Sequence, residues 1–97
     1  MNLQIKFSRL AELDLEEIWL YTFETWSLQQ ANFYQDNLYL GLNELSQNTR
    51  SGKIIVIDNR TFYYYKIAHH YIFYLEQENE LLVYRILHEM MDFPRHL

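Results

Sequence analysis

The chain has no cysteine, one proline and two glycines among its 97 residues. Without a thiol there is no disulfide staple, no thiolate nucleophile and no sulfur ligand for a metal, and such a chain suits a reducing compartment. So few glycines and prolines, beside 49% hydrophobic residues, exclude a flexible linker or disordered regulator and predict an ordered globule. No window approaches the roughly 20 apolar residues of a membrane span, and the start MNLQIKFSRL has no apolar run behind a basic stretch. A cytoplasmic protein without membrane contact is expected. Gly-rich phosphate loops, Walker patterns and Ser nucleophile elbows are also missing, so no cofactor is expected. A chain of this length buries roughly 60 to 65% of its unfolded surface, which predicts one domain, 1–97, with no appended catalytic module.

Bases are scarce in the first half. Residues 1–49 carry seven acids (Glu12, Asp14, Glu16, Glu17, Glu24, Asp36, Glu44) against Lys6 and Arg9, while residues 50–97 hold six acids and six bases, for a net charge of -5. A protein that grips nucleic acid ordinarily shows a basic face, because phosphate neutralisation supplies most of that affinity. Only Arg50, Lys53, Arg60 and Lys66, with Asp58 among them, approach such a strip; ordinary solvated strand ends explain them as well. No direct nucleic-acid partner is expected.

Leu3, Ile5 and Phe7 alternate with Gln4, Lys6 and Ser8, the period of a half-buried strand. Ser8 suits a helix N-cap, and from Arg9 to about Glu24 the residues Ala11, Leu15, Ile18 and Thr22 recur at helical spacing. Glu12, Asp14, Glu16 and Glu17 lie mostly off that stripe, giving the helix an acidic outer side. Ser27 followed by Gln30 reads as a capping box, so Trp26 and Ser27 mark a break before a second helix with stripe Ala31, Tyr34, Leu38, Leu42 and Leu45. Two helices so closely joined fold back as an antiparallel hairpin. Ser46 to Gly52 is a polar turn, and beyond it IIVI, TFYYYKI, YIFYL and LLVYRIL predict three or four strands. Ala68 to His70 and Glu76 to Glu80 are short links, which force antiparallel neighbours. The predicted class is α+β: a β-α-α-β-β-β chain whose helical hairpin packs on one twisted, mostly antiparallel sheet, with a short C-terminal tail or helix.

Aromatic residues crowd the strands. Tyr63, Tyr64 and Tyr65, with Tyr71, Phe73, Tyr74 and Tyr84, cannot all point inward, because adjacent strand residues face opposite sides. Both sheet faces therefore carry apolar bulk. One is expected under the helices and the other to await a partner, a task for which tyrosine is suited; tyrosines lining the core rim are the plainer alternative.

The tail from Arg85 to Leu97, RILHEMMDFPRHL, runs an apolar strand straight into a charged, His-bearing segment. Together with Ala11, Asp14, Leu15 and Ile18, with Trp26, Gln30 and Ala31, and with His70, Ile72, Phe73 and Tyr74, it resembles the ParE branch of the RelE/ParE toxin superfamily over nearly the whole chain. The resemblance implies the same β-α-α-β-β-β fold and a toxin of a type II toxin–antitoxin pair. It implies a hetero-oligomer with a cognate antitoxin and inhibition of DNA gyrase by protein contact. Leu75 stands where many relatives have Arg, and 52–60 is β-rich where relatives often carry a looser loop. The ribonuclease branch commonly shows an Arg at the place of Tyr71, and a nuclease without that cation loses stabilisation of the transition-state phosphate.

Candidate residues follow from both readings. For the antitoxin, Trp19, Tyr39, Tyr71 and Phe73 are the expected contacts, beneath a partner helix or strand lying over the hairpin and the sheet edge; an initially disordered segment suits such wrapping. For the target, Arg85, His88, Met91 and Arg95 are expected. No catalytic residue is assigned under that reading. In the alternative, a ribosome-dependent mRNA endoribonuclease, Arg85 and His88 act as phosphate clamp and acid with Arg60 or Lys66; against this, Arg85 pairs with an acidic helix residue and His88 caps a turn. A third alternative is an inactive homologue that only binds its partner. His69, His70, His88 and His96 lack metal-ligand spacing, so no metal is expected, and Glu12 with Glu16 reads as a solvated helix face.

Overall fold

The computed structural model describes residues 3–97, so the first two residues of the expected 1–97 unit lie outside it. Strand β1 (Gln4–Phe7) leads into helices α1 (Arg9–Thr25) and α2 (Leu28–Gln47); a 3₁₀ turn, Thr49–Ser51, follows. Strands β2 (Lys53–Ile57), β3 (Arg60–Ile67), β4 (His70–Gln77) and β5 (Glu80–His88) come next, and a single-turn helix α3 (Phe93–His96) closes the order. The five strands form one sheet in the order β1-β5-β4-β3-β2, with β1 parallel to β5 and every other pair antiparallel. The predicted class and the hairpin-on-sheet layout are what the chain adopts.

Local chemistry sets the joints. The Ser8 hydroxyl accepts from the Ala11 N–H at 3.0 Å and donates to the Tyr84 carbonyl at 2.6 Å, so one side chain caps α1 and fastens it to β5. Ser27 accepts from the Gln30 N–H at 3.0 Å, which ends the break that Trp26 begins. The polar stretch expected from Ser46 starts later, because Ser46 is buried and helical and its hydroxyl turns back to the Asn43 carbonyl. Asp58 and Asn59 both take left-handed φ angles, 51° and 63°, as the two-residue turn between β2 and β3 requires. The later hairpin turns are two residues as well, Ala68–His69 and Glu78–Asn79, shorter than the sequence suggested.

Two cores flank the sheet. On the helix side Ala11, Leu38, Leu42 and Leu45 meet Ile67, Ile72, Tyr74, Leu81, Val83 and Ile86. Gly41 lets α2 approach β3 closely, since a Cβ there would meet the Ile67 side chain at 2.6 Å. On the opposite side Ile57, Phe62, Phe73 and Leu87 form a second core with Tyr64, Tyr71 and Tyr84, and Phe93 and Leu97 of the C-terminal segment pack on it. The aromatic residues do divide between the faces. Yet the second face is roofed in part by the chain's own tail, which narrows the surface left for a partner.

Asp14 is the other correction. The sequence predicts it on the acidic outer side of α1, but it is buried and its carboxylate faces β5. The reason is the sheet edge: β1 ends at Phe7, opposite Val83, and β5 runs on past it, paired on its other side with β4. Asp14 Oδ2 accepts the Ile86 N–H at 2.9 Å, a ladder donor that β1 no longer reaches.

Candidate functional site

Where α1 turns into α2, the far end of the hairpin stands over the ends of β4 and β5 and leaves a cleft of ≈ 660 Å³. Ile18, Tyr21, Trp26, Tyr34, Met90 and Met91 give it apolar walls, and Glu17, His69, His70 and His88 add polar points. Trp26 and Met90 are largely exposed. Its floor follows from register: His70 opens β4 directly opposite His88 at the end of β5, their rings 5.2 Å apart and edge-on.

A polar network holds this floor. The Tyr34 hydroxyl accepts the His69 N–H at 3.1 Å, which leaves its own proton for His70 Nδ1 at 2.6 Å. Burial, then the neighbouring His88 and His69, push the His70 imidazole down from 6.5 to about 4, so the ring stays neutral at ordinary pH. Burial also raises the Tyr34 hydroxyl, keeping it a donor. Beyond the hairpin turn, His69 Nδ1 lies 2.8 Å from Glu89 Oε2 and Lys66 Nζ lies 3.7 Å from Glu89 Oε1. The hydrogen bond from His69 holds the Glu89 carboxyl below its usual range. The Met90 N–H donates to His88 Nδ1 at 3.1 Å, so His88 caps the turn that carries Met90 and Met91.

Arg85 donates from all three of its guanidinium nitrogens. Its Nε and NH2 donate to the two Asp14 oxygens at 2.8 and 3.0 Å, and its NH1 donates to the His96 carbonyl at 2.8 Å. The hydrogen bonds to Asp14 raise the guanidinium above its already high ordinary value. A β-bulge aims it there: Phe73 pairs with Arg85 and Tyr74 with Val83, leaving Tyr84 as an extra residue. Arg85 thus ties α1, β5 and α3 together.

The expected target residues divide accordingly. His88 and Met91 meet in the cleft, whereas Arg85 is shielded beneath Asp14 and Arg95 sits on α3 with its side chain 83% exposed, 3.4 Å from Asp92. The residues proposed for a nuclease do not assemble either. Arg60 lies over the rings of Phe62 and Tyr84, Lys66 over Tyr71, both on the face away from the hairpin, while His88 faces the cleft. Among the described residues no three of His, Asp and Glu form a group able to hold a metal.

The expected antitoxin residues lie on two sides. Trp19 and Tyr39 line a second groove between α1 and α2 with Phe7, Leu15 and Leu20. Trp19 stacks on Phe23 at 5.3 Å and donates Nε1–H to Asn32 at 3.1 Å, and Tyr39 meets Phe7 edge-on. Tyr71 is on the opposite face. Phe73 is 0% exposed beneath Phe93, so it supports that face and cannot itself touch a partner, a correction to its assignment. Sequence reasoning missed Tyr21, Trp26, Tyr34 and Met90 as cleft residues. Tyr34 sat on a helical stripe that reads as core, and the available signal was the pair of hairpin ends that sets His70 against His88.

The fold is shared with chains of two solved toxin–antitoxin assemblies. A chain of the chromosomal ParDE toxin–antitoxin system from P. aeruginosa superposes with a TM-score of 0.75 at 15% identity, covering 89% of this chain and 95% of that one. A chain of the toxin–antitoxin complex RelBE2 from Mycobacterium tuberculosis gives 0.64 at 13% identity, with 91% and 99% covered. Residues 5–93 match the family described as ParE toxin of type II toxin-antitoxin system, parDE, and the chain belongs to that family. It is 30% identical, over an alignment of 98 positions that spans all of both chains, to Toxin ParE1 of two Mycobacterium tuberculosis strains, CDC 1551 / Oshkosh and H37Rv.

Proposed function

We propose that this ParE-family toxin acts on DNA gyrase by protein contact at the cleft and is neutralised in the cytoplasm by a cognate antitoxin. One observation carries the reading: Arg85, the cation that opens the tail, is consumed by Asp14 and the His96 carbonyl, while the cleft beside it has apolar and aromatic walls. Apolar and aromatic walls with few charges suit an inserted protein side chain better than a phosphate. The solved neighbours are named as toxin–antitoxin assemblies, which supports an antitoxin partner here. The groove of Trp19 and Tyr39 is its expected seat. Purified toxin added to gyrase should block supercoiling, and Met91→Asp, an exposed cleft position, should restore it. Supercoiling and cleavage-complex levels that the toxin leaves untouched would count against the reading, and A-site cuts in a translated message that vanish in His88→Ala would replace it with the ribonuclease. Trp19→Ala with unchanged antitoxin affinity would remove the groove from the argument, and harmless expression without antitoxin would leave only an inactive binding partner.

A further inference from the structure

Strand β2 carries an apolar feature that neither core, the cleft nor the helical groove uses. Among the described residues it is the last strand of the sheet and pairs only with β3. Its two-residue turn makes Ile57 and Arg60 the bonded closing pair, so by alternation the peptide groups of Lys53 and Ile55 also turn toward β3. Those of Ile54 and Val56 then point out of the sheet. The side chains of the same two residues are 61% and 63% exposed, next to the partly exposed Tyr63, which pairs with Ile54. Natural sheets ordinarily blunt such an edge with charge, proline or a bulge, and the run Ile54-Ile55-Val56 has none of these.

We propose that β2 is a self-pairing edge, joining antiparallel to β2 of a second copy about a two-fold axis through Ile55. In this register Ile54 stands opposite Val56 of the other copy. The two exchange both N–H···O bonds, and the mirrored pair does the same, so every outward peptide group of these residues is used. Ile55 meets its own counterpart at the close, non-bonded position. On the helix-side face Ile54, Val56 and Tyr63 from both copies become one continuous apolar surface. Charge selects the register as well. Lys53 falls opposite Ile57 and beside Asp58 of the second copy, placing opposite charges at each end of the ladder. A register centred on Ile54 instead sets the two Lys53 side chains diagonally together. A five-residue ladder is a small interface, so the dimer is weak and concentration-dependent, with a dissociation constant on the order of 10 μM.

The chain has no cysteine of its own, so single cysteines report the register cleanly. In antitoxin-free full-length protein, Ile55→Cys is expected to oxidise to a disulfide dimer at least ~10-fold faster than Gln29→Cys on α2, because only residue 55 meets its copy across the axis. Sedimentation equilibrium is expected to show a dimer whose dissociation constant rises at least ~10-fold in Val56→Lys and in Ile54→Lys, with circular dichroism and Tm unchanged. Protein that stays monomeric up to ~1 mM, self-association indifferent to both lysines, or equal crosslinking at residues 55 and 29 would each overturn the proposal.

Discussion

The two edges of the sheet are finished in opposite ways. Beside β1, the strand β5 outruns its neighbour, and α1 supplies the missing partners: Ser8 bonds the Tyr84 carbonyl and Asp14 takes the Ile86 N–H while holding Arg85. Beside β3, the strand β2 ends the sheet without any such cover among the described residues, and the segment before it is a 3₁₀ turn of three residues, too short to cross the edge. The difference teaches that an edge is closed by the element that follows it in the chain. A 17-residue helix starting at the corner reaches back over the ladder, whereas a tight hairpin turn leads straight into the next strand.

The contrast can be broken most severely at Asp14. Asp14→Ala leaves the Arg85 guanidinium and the Ile86 N–H without their acceptor in a buried setting, and urea unfolding should show a loss of about 3–5 kcal/mol. Next comes His70, whose ring is neutral in the folded chain down to about pH 4, while an unfolded histidine takes its proton near 6.5. Between those values the unfolded state binds more protons, so this contribution is full above about 6.5 and falls as the pH drops toward 4. The loss should be on the order of 2 kcal/mol, and His70→Gln should flatten that part of a stability profile measured by denaturant at successive pH values. Ser8→Ala removes a helix cap and the bond to Tyr84 together, for about 1–2 kcal/mol in the same assay. At the open edge the effect should be smallest: Ile54→Lys should change stability by no more than about 0.5 kcal/mol. A large loss there would mean that β2 is already covered in the monomer and that the two edges are alike.

Much of this architecture was legible because it rests on periodicity. The stripe from Ala31 to Leu45 and the alternation of Leu3, Ile5 and Phe7 name their own elements, and Ser8 and Ser27 announce the helix starts by local chemistry. The division of the aromatics between two sheet faces followed from strand geometry alone. What stayed hidden depends on partners far apart in the chain. Asp14 looks like any outer-face acid until β5 is known to outrun β1, 71 residues away from Arg85 in sequence. Phe73 looks like a sticky aromatic until the tail lays Phe93 across it. Of the candidate residues, His88 and Met91 line one cleft, and Tyr34 and Trp26 join them only because the hairpin's far end hangs over the strand ends, a tertiary relation that no local pattern encodes.

The pairing of β1 with β5 has a consequence for how the chain acquires its shape. Residues 4–7 wait for residues 80–83 before they have a ladder to join, and closing so long a loop is entropically slow. During synthesis the helical hairpin therefore emerges well before the strands that will bury Leu38, Leu42 and Leu45, and it must linger with that surface wet. Folding is completed only once the last strand has been made.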